Sequence, residues 1–325
     1  MTEFKSVTVE EYQECLRQPP LVAQTALGPV EYADRGVGPV LLSVHGGPGG
    51  YDQGLALAEC FRKNGFRVIA PSRPGYLGTP LGEGTTPEGQ GQVLAAFLDA
   101  LELGPVAVVG ASAGGPPSYA LAQQRPDLVS ALVEIDSVAI AYTKQQELSR
   151  TEEAVYLSRP GVWLMDWFMR HFPVPMVKEF LKSESSLEGH ALDERVRHVV
   201  DDPVKLGFVR VMTRTMSDHW DRRREGVDND LALLGAIDRL PMDRIRCPVL
   251  LLHGDAEADV PMAHAEYAHS VLADSELYRI RGGSHIGFWV SDNAETAQRH
   301  AVNWLLDRFC SEINPARSQY RCPTG

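Results

Sequence analysis

One serine, Ser112, stands between Gly110 and Gly114 where the stretch VAVVGASAGGPP (106–117) passes from large apolar residues to small ones. A serine hydroxyl is a poor nucleophile at neutral pH. It becomes a good one when a base takes its proton, usually a histidine held in one tautomer by a carboxylate. Two later stretches supply such groups: RGGSHIGFW carries His285 on a glycine-softened loop, and HGDAEADVP (253–261) carries Asp255, Glu257 and Asp259. A G-x-S-x-G match alone is weak, since this glycine and serine content gives roughly 0.15 accidental matches in such a chain. Context carries the reading, because the motif closes a buried-strand pattern and opens a helix, as a strand-to-helix elbow requires. Gly110 and Gly114 remove side chains where the backbone turns. Pro116 and Pro117 fall in the first helical turn, where a missing N–H costs little, and the positive end of the helix favours a developing anion at Ser112. Phosphate cradles of the GxGxxG or GxxxxGK[ST] type are absent.

Ten histidines compete for the role of base. His285 follows the last predicted strand, at the carboxyl edge where open α/β sheets bind ligands. His45 and His253 precede glycines at other strand ends and read as packed or backbone-bonded. His190, His198 and His219 read as surface residues.

The elements that must position these groups are short apolar runs bounded by Gly and Pro: 39–47, 65–71, 105–112, 131–137, 247–255 and 275–283. Most are apolar at consecutive positions, which suits parallel strands covered on both faces. Helical patterns lie between them, at 89–103, after Ser112 through Arg125, at 263–273 and at 294–310. The class is therefore α/β with a mainly parallel sheet flanked by helices. From about 141 to 245 no strand pattern occurs, and charge mixes with large apolar groups at helical spacing, so a helical insertion that folds as a subdomain of its own is expected. The expected division is a first core part at 1–140, the insertion at 141–245 and a second core part at 246–325. The last residues, SEINPARSQYRCPTG, are expected to lie frayed beyond the final helix.

The chain of 325 residues carries a formal net charge of −12 and no Lys/Arg-dense run, which argues against nucleic acid and for a small, neutral or apolar molecule as partner. Five scattered cysteines without CxxC spacing suggest neither disulfides nor zinc, and no cofactor or metal is expected. An acidic N-terminus without an apolar core, and no run of about 18 apolar residues, predict a cytoplasmic protein with no membrane partner. A homo-oligomer is compatible with all of this.

Taken in order, HGGPGG, PSRPGYLGTP, GASAG, HGDAEADVP and GGSHIGFW resemble the α/β-hydrolase fold family over nearly the whole chain outside the insertion. The resemblance implies an acyl-enzyme mechanism with Ser112 as nucleophile and His285 as base. Members commonly carry the acid in a G-x-x-D-x-x-V-P pattern; with Gly254, Val260 and Pro261 in place, that position is Glu257, a departure from the usual Asp. Asp259 is the alternative and Asp136, after another strand, the third choice. The resemblance also makes the N–H groups of Gly47, in HGGPGG, and of Ala113 the oxyanion donors, each worth about 2.7 to 4 kcal/mol. The insertion becomes a cap over the serine, so that Trp163 and Trp167, with Phe168 and Phe172 nearby, are expected to line a substrate pocket together with Phe288 and Trp289. Ester hydrolysis is the leading reaction. Prolyl aminopeptidases share HGGPG but show DQRG and a Trp after the nucleophile, where this chain has PSRPG and Ala113. C–C bond hydrolases, cofactor-free haloperoxidase-like enzymes and a non-enzymatic small-molecule-binding member remain as alternatives. Epoxide hydrolases and haloalkane dehalogenases need an aspartate at position 112.

Overall fold

A computed structural model describes residues 3–142 and 158–313. Eight strands form one sheet in the order β1-β2-β4-β3-β5-β6-β7-β8: β1 (Leu21–Thr25), β2 (Gly28–Arg35), β3 (Val40–Val44), β4 (Arg67–Pro71), β5 (Val106–Ala111), β6 (Val129–Ile135), β7 (Val249–Gly254) and β8 (Ser275–Ile280). The pairs β1–β2 and β2–β4 are antiparallel, and every other pair is parallel. Every residue of β5 and of β7 is buried, as their unbroken apolar runs require of strands covered on both faces. Edge strand β1 has one buried residue of five, which is why its sequence carries no strand signal above its surroundings.

Helices Pro87–Ala100, Gly115–Gln124, Ala263–Val271 and Ala294–Ile313 fall where the periodicity puts them. Thr86 caps the first by accepting from Gly89 N–H, and a proline follows in the first turn. Ser311–Ile313 belong to the last helix; the rest of the C-terminal stretch, from 314, lies outside the described residues, as does 143–157. An N-terminal helix, Val9–Arg17, goes beyond the sequence reading, although its capping box is written in the chain as Thr8 with Glu11.

Between β6 and β7 the described residues form five α-helices and no strand: Arg159–His171, Pro173–Glu184, Gly189–Asp201, Pro203–Ser217 and Arg224–Ala236. Their buried side chains do not form a separate core. Val177, Leu181, Val199 and Phe208 share one apolar cluster with Tyr12, Leu57, Phe288 and Trp289. Phe208 packs edge-on to Tyr12 and stacks on Trp289, with centroids 5.3 and 5.2 Å apart. Among the described residues, no helix is long and apolar enough to cross a membrane.

Candidate active site

Strand β5 ends at Ala111, and Ser112 follows with φ +53°, a left-handed conformation that a serine adopts only where its surroundings impose it. Those surroundings are close-packed. A Cβ on Gly110 would fall 2.6 Å from Glu134 Oε2 and 2.7 Å from Ser118 Oγ, and one on Gly114 would fall 2.4 Å from the Val44 carbonyl oxygen. The two glycines therefore serve close approach to neighbouring strands, while the unusual dihedral sits on the serine itself. Pro116 and Pro117 lie in the first turn of the helix Gly115–Gln124, as expected.

His285 sits on the loop after β8, its backbone N–H donating to Glu184 O at 3.0 Å. Its ring Nδ1 lies 2.8 Å from Glu257 Oε2. Glu257 Oε1 in turn accepts from the backbone N–H groups of Asp259 at 2.5 Å and Val260 at 2.9 Å. With Oε1 already accepting two backbone N–H bonds, Glu257 is oriented to accept the Nδ1 proton on Oε2, which leaves Nε2 as the nitrogen free to act as base. Burial alone would push the imidazole down, but the carboxylates of Glu257, Glu184 and Asp259 hold its pKa well above the ordinary value of 6.5. Asp259 is placed otherwise: Oδ1 accepts from Tyr142 OH at 2.8 Å, and Oδ2 stands 3.9 Å from His285 Nε2. Asp255 accepts from Gly282 N–H at 2.5 Å. Buried Asp136 accepts from Gly254 N–H at 2.8 Å and so braces the β7 turn.

Ser112 and His285 line one cavity of about 80 Å³ with Gly46, Gly47 and Asp259. From the helical segment come Phe180 and Glu184, and Met212 and Met216; Leu57, Ile286 and Trp289 close the wall. Glu184 is the last residue of its helix, and burial pushes its carboxyl up to about 7 against the opposing pull of His285. One ligand atom each of Glu184, Asp259 and His285 lie within 4.8 Å of one another, so the side of the cavity facing Nε2 is acidic. Neither Glu184 nor the two methionines was singled out from sequence. Met212 and Met216 share a helix face at i,i+4, but that spacing is equally the mark of core packing.

Of the aromatic residues expected to line the pocket, Trp289 does so, while Trp163, Trp167, Phe168, Phe172 and Phe288 lie elsewhere. Trp163 is 66% exposed and borders a wider cleft of about 810 Å³ with Arg214 and Trp220, while Trp167 is exposed and stacks on His171. The two cavities share no lining residue. Phe288 is 0% exposed and stacks against Phe61, which makes it core; its neighbour Trp289 reaches the cavity instead. Spacing alone could not separate these cases, because the side of the helix that meets the site depends on how the segment docks.

In the loop HGGPGG, Gly47 faces the cavity, and a Cβ there would fall 3.5 Å from Ala113 Cβ. Among the described residues, the Gly47 N–H has no acceptor. His45 is buried, takes the Arg73 N–H on Nε2 at 2.9 Å and donates from Nδ1 to Gly46 O at 2.6 Å; burial keeps it neutral by pushing its pKa far down. His253 donates from Nε2 to Val260 O at 2.7 Å. Both are the packed, backbone-bonded histidines that the sequence suggests, and His190 and His219 are exposed.

The profile of a family described as alpha/beta hydrolase fold matches residues 39–292. An alpha/beta hydrolase fold protein of Nakamurella multipartita has a solved structure similar to this one, with a TM-score of 0.82 and 36% identity over 88% of this chain and 99% of that one. An uncharacterized hydrolase of Bacillus subtilis is 25% identical over 83% of this chain and 92% of its own length. A pimeloyl-[acyl-carrier protein] methyl ester esterase of Aromatoleum aromaticum is 28% identical over 69% of this chain and 82% of its own.

Proposed function

The chain belongs to the α/β-hydrolase fold family, and from that premise we propose that it is a serine hydrolase cleaving small carboxylic esters through an acyl-enzyme. The observation that carries the reading is the 2.8 Å contact between His285 Nδ1 and Glu257, made at the wall of a cavity that His285 shares with Ser112. In the proposed cycle Ser112 Oγ attacks the ester carbonyl carbon while His285 Nε2 takes the hydroxyl proton. Glu257 stabilises the imidazolium, and the N–H groups of Gly47 and Ala113 receive the oxyanion. Collapse breaks the C–O bond, and the departing alkoxide takes the proton from His285. Water then attacks the acyl carbon with His285 again as base, releasing acid and free Ser112. The scheme needs no cofactor.

Segment 141–245 acts as the cap in this reading, since Phe180, Glu184, Met212 and Met216 roof the serine. The curated relative whose name specifies a methyl ester supports a small alcohol as leaving group, which suits a cavity of about 80 Å³. A net charge of −12 favours a soluble small molecule over nucleic acid.

The test is labelling with a fluorophosphonate probe together with turnover of p-nitrophenyl acetate. We expect one labelled serine, Ser112, and loss of turnover in Ser112→Ala; an unlabelled Ser112, or a Ser112→Ala variant as fast as wild type, would refute the reading.

A further inference from the structure

Two buried arginines grip the loop that carries Gly47. Arg73, on the loop after β4, uses all five guanidinium N–H bonds: Nε to His45 O at 2.9 Å, Nη2 to Gly46 O at 3.0 Å, Nη1 to Gln90 at 3.1 Å, and both Nη atoms to Asp230 at 2.8 and 2.6 Å. Asp230 belongs to the helix Arg224–Ala236 and also accepts from Tyr76 OH at 2.6 Å. Its carboxylate lies so close to the loop that a Cβ on Gly47 would fall 2.7 Å from Oδ2. At the other end of the loop the arrangement is reversed. Arg223, from the cap, donates to Gly49 O at 2.5 Å and pairs at 2.6 Å with Asp52 of the core helix Tyr51–Leu57. One pair runs from core cation to cap anion, the other from cap cation to core anion.

We propose that Arg73, seated by Asp230 of the cap, is a positioning residue for the oxyanion donor, acting through the peptide group that joins Gly46 to Gly47. This inference rests on the hydrolase reading above. A trans peptide is planar, so its C=O and N–H point in opposite directions. Fixing the Gly46 carbonyl with Arg73 Nη2 and His45 Nδ1 therefore fixes the direction of the Gly47 N–H, and Gly47 lines the cavity beside Ser112. A cationic donor on the carbonyl also polarises the peptide, which makes its N–H a stronger donor to a developing oxyanion. Asp230 keeps the guanidinium in register with two parallel bonds, so docking of the cap and aim of the donor become one event. The residues act on the transition state and barely on the bound ester, whose carbonyl carries little charge.

Three variants test this: Asp230→Asn, Arg73→Lys, and the double variant Arg73→Met/Asp230→Leu, which removes the pair without leaving a buried charge alone. Each is measured for kcat and KM on p-nitrophenyl acetate, for the preference of that ester over its thionoester, and for its melting temperature. Sulfur accepts hydrogen bonds poorly, so the oxo-to-thiono ratio reports the donor itself. We expect kcat to fall by about 10- to 100-fold, less than the 10²–10³ seen on deleting a donor outright, with KM within about twofold, a reduced oxo-to-thiono ratio, and a double variant that melts near wild type. A folded double variant with wild-type kcat and ratio would overturn the proposal, as would a loss confined to KM. Failure of all three to fold would overturn it too, since the pair would then serve folding rather than aim. A failed hydrolase reading shows itself separately, as wild-type protein that neither turns over the ester nor labels at Ser112.

Discussion

Glu257 meets His285 from the Nδ1 side at 2.8 Å, whereas Asp259 stands 3.9 Å from Nε2, and the roles of the two carboxylates divide accordingly. We expect Glu257→Gln to lower kcat by up to about 10⁴-fold, because an amide can turn the imidazole into the wrong tautomer, and Asp259→Asn to cost far less; steady-state kinetics of both variants check it, and the reverse ranking would move the acid to Asp259. A base works as the neutral imidazole. With the His285 pKa held above 6.5, turnover by the proposed mechanism should rise with pH through a limb above that value. Glu184, itself pushed up to about 7, helps to hold the imidazolium. Glu184→Gln removes that charge and should shift the acid limb of kcat/KM to lower pH; a limb left in place would show that Glu184 does not act on His285 electrostatically. At this scale the sequence was most informative where one residue type is needed at one spacing, as at Ser112, His285 and Glu257. Glu184 had no such mark, since a glutamate at a helix end is most often solvated.

Among the elements, the helix Pro203–Ser217 joins the helical segment to the hydrolase core, because Phe208 is sandwiched between Tyr12 of the N-terminal helix and Trp289 of the short helix Gly287–Val290 that follows His285. Phe208→Ala should cost about 3–5 kcal/mol of stability, as a large ring lost from a closed site does, read from urea denaturation followed by tryptophan fluorescence. A cost under about 1 kcal/mol would mean that the segment packs on its own. The central strands were legible as buried apolar runs bounded by glycine and proline. The hairpin of β1 and β2 was not, since its first strand is mostly exposed and its turn is marked only by Gly28 at φ +109°. How the five helices dock could not be read either: Trp163 and Met212 both recur at helical spacing, yet Trp163 faces outward and Met212 roofs the serine.

For the whole molecule, the cavity at Ser112 is small. At about 80 Å³ it falls well below the 300–1,000 Å³ of drug-sized ligand sites. Across p-nitrophenyl acetate, butyrate and octanoate we therefore expect kcat/KM to fall at least about tenfold from butyrate to octanoate, the lost binding of a chain that finds no room; a rise with chain length would require the cap to open. The crossed ion pairs at the HGGPGG loop also bear on how this scaffold can be recombined. The helical segment between β6 and β7 is not a freely exchangeable module: a chimera that imports a foreign segment strands Arg73 and Asp52 unless the import brings an anion at position 230 and a cation at position 223. Donor segments for shuffling are best chosen by those two charges first, and by the residues that would touch a substrate only afterwards.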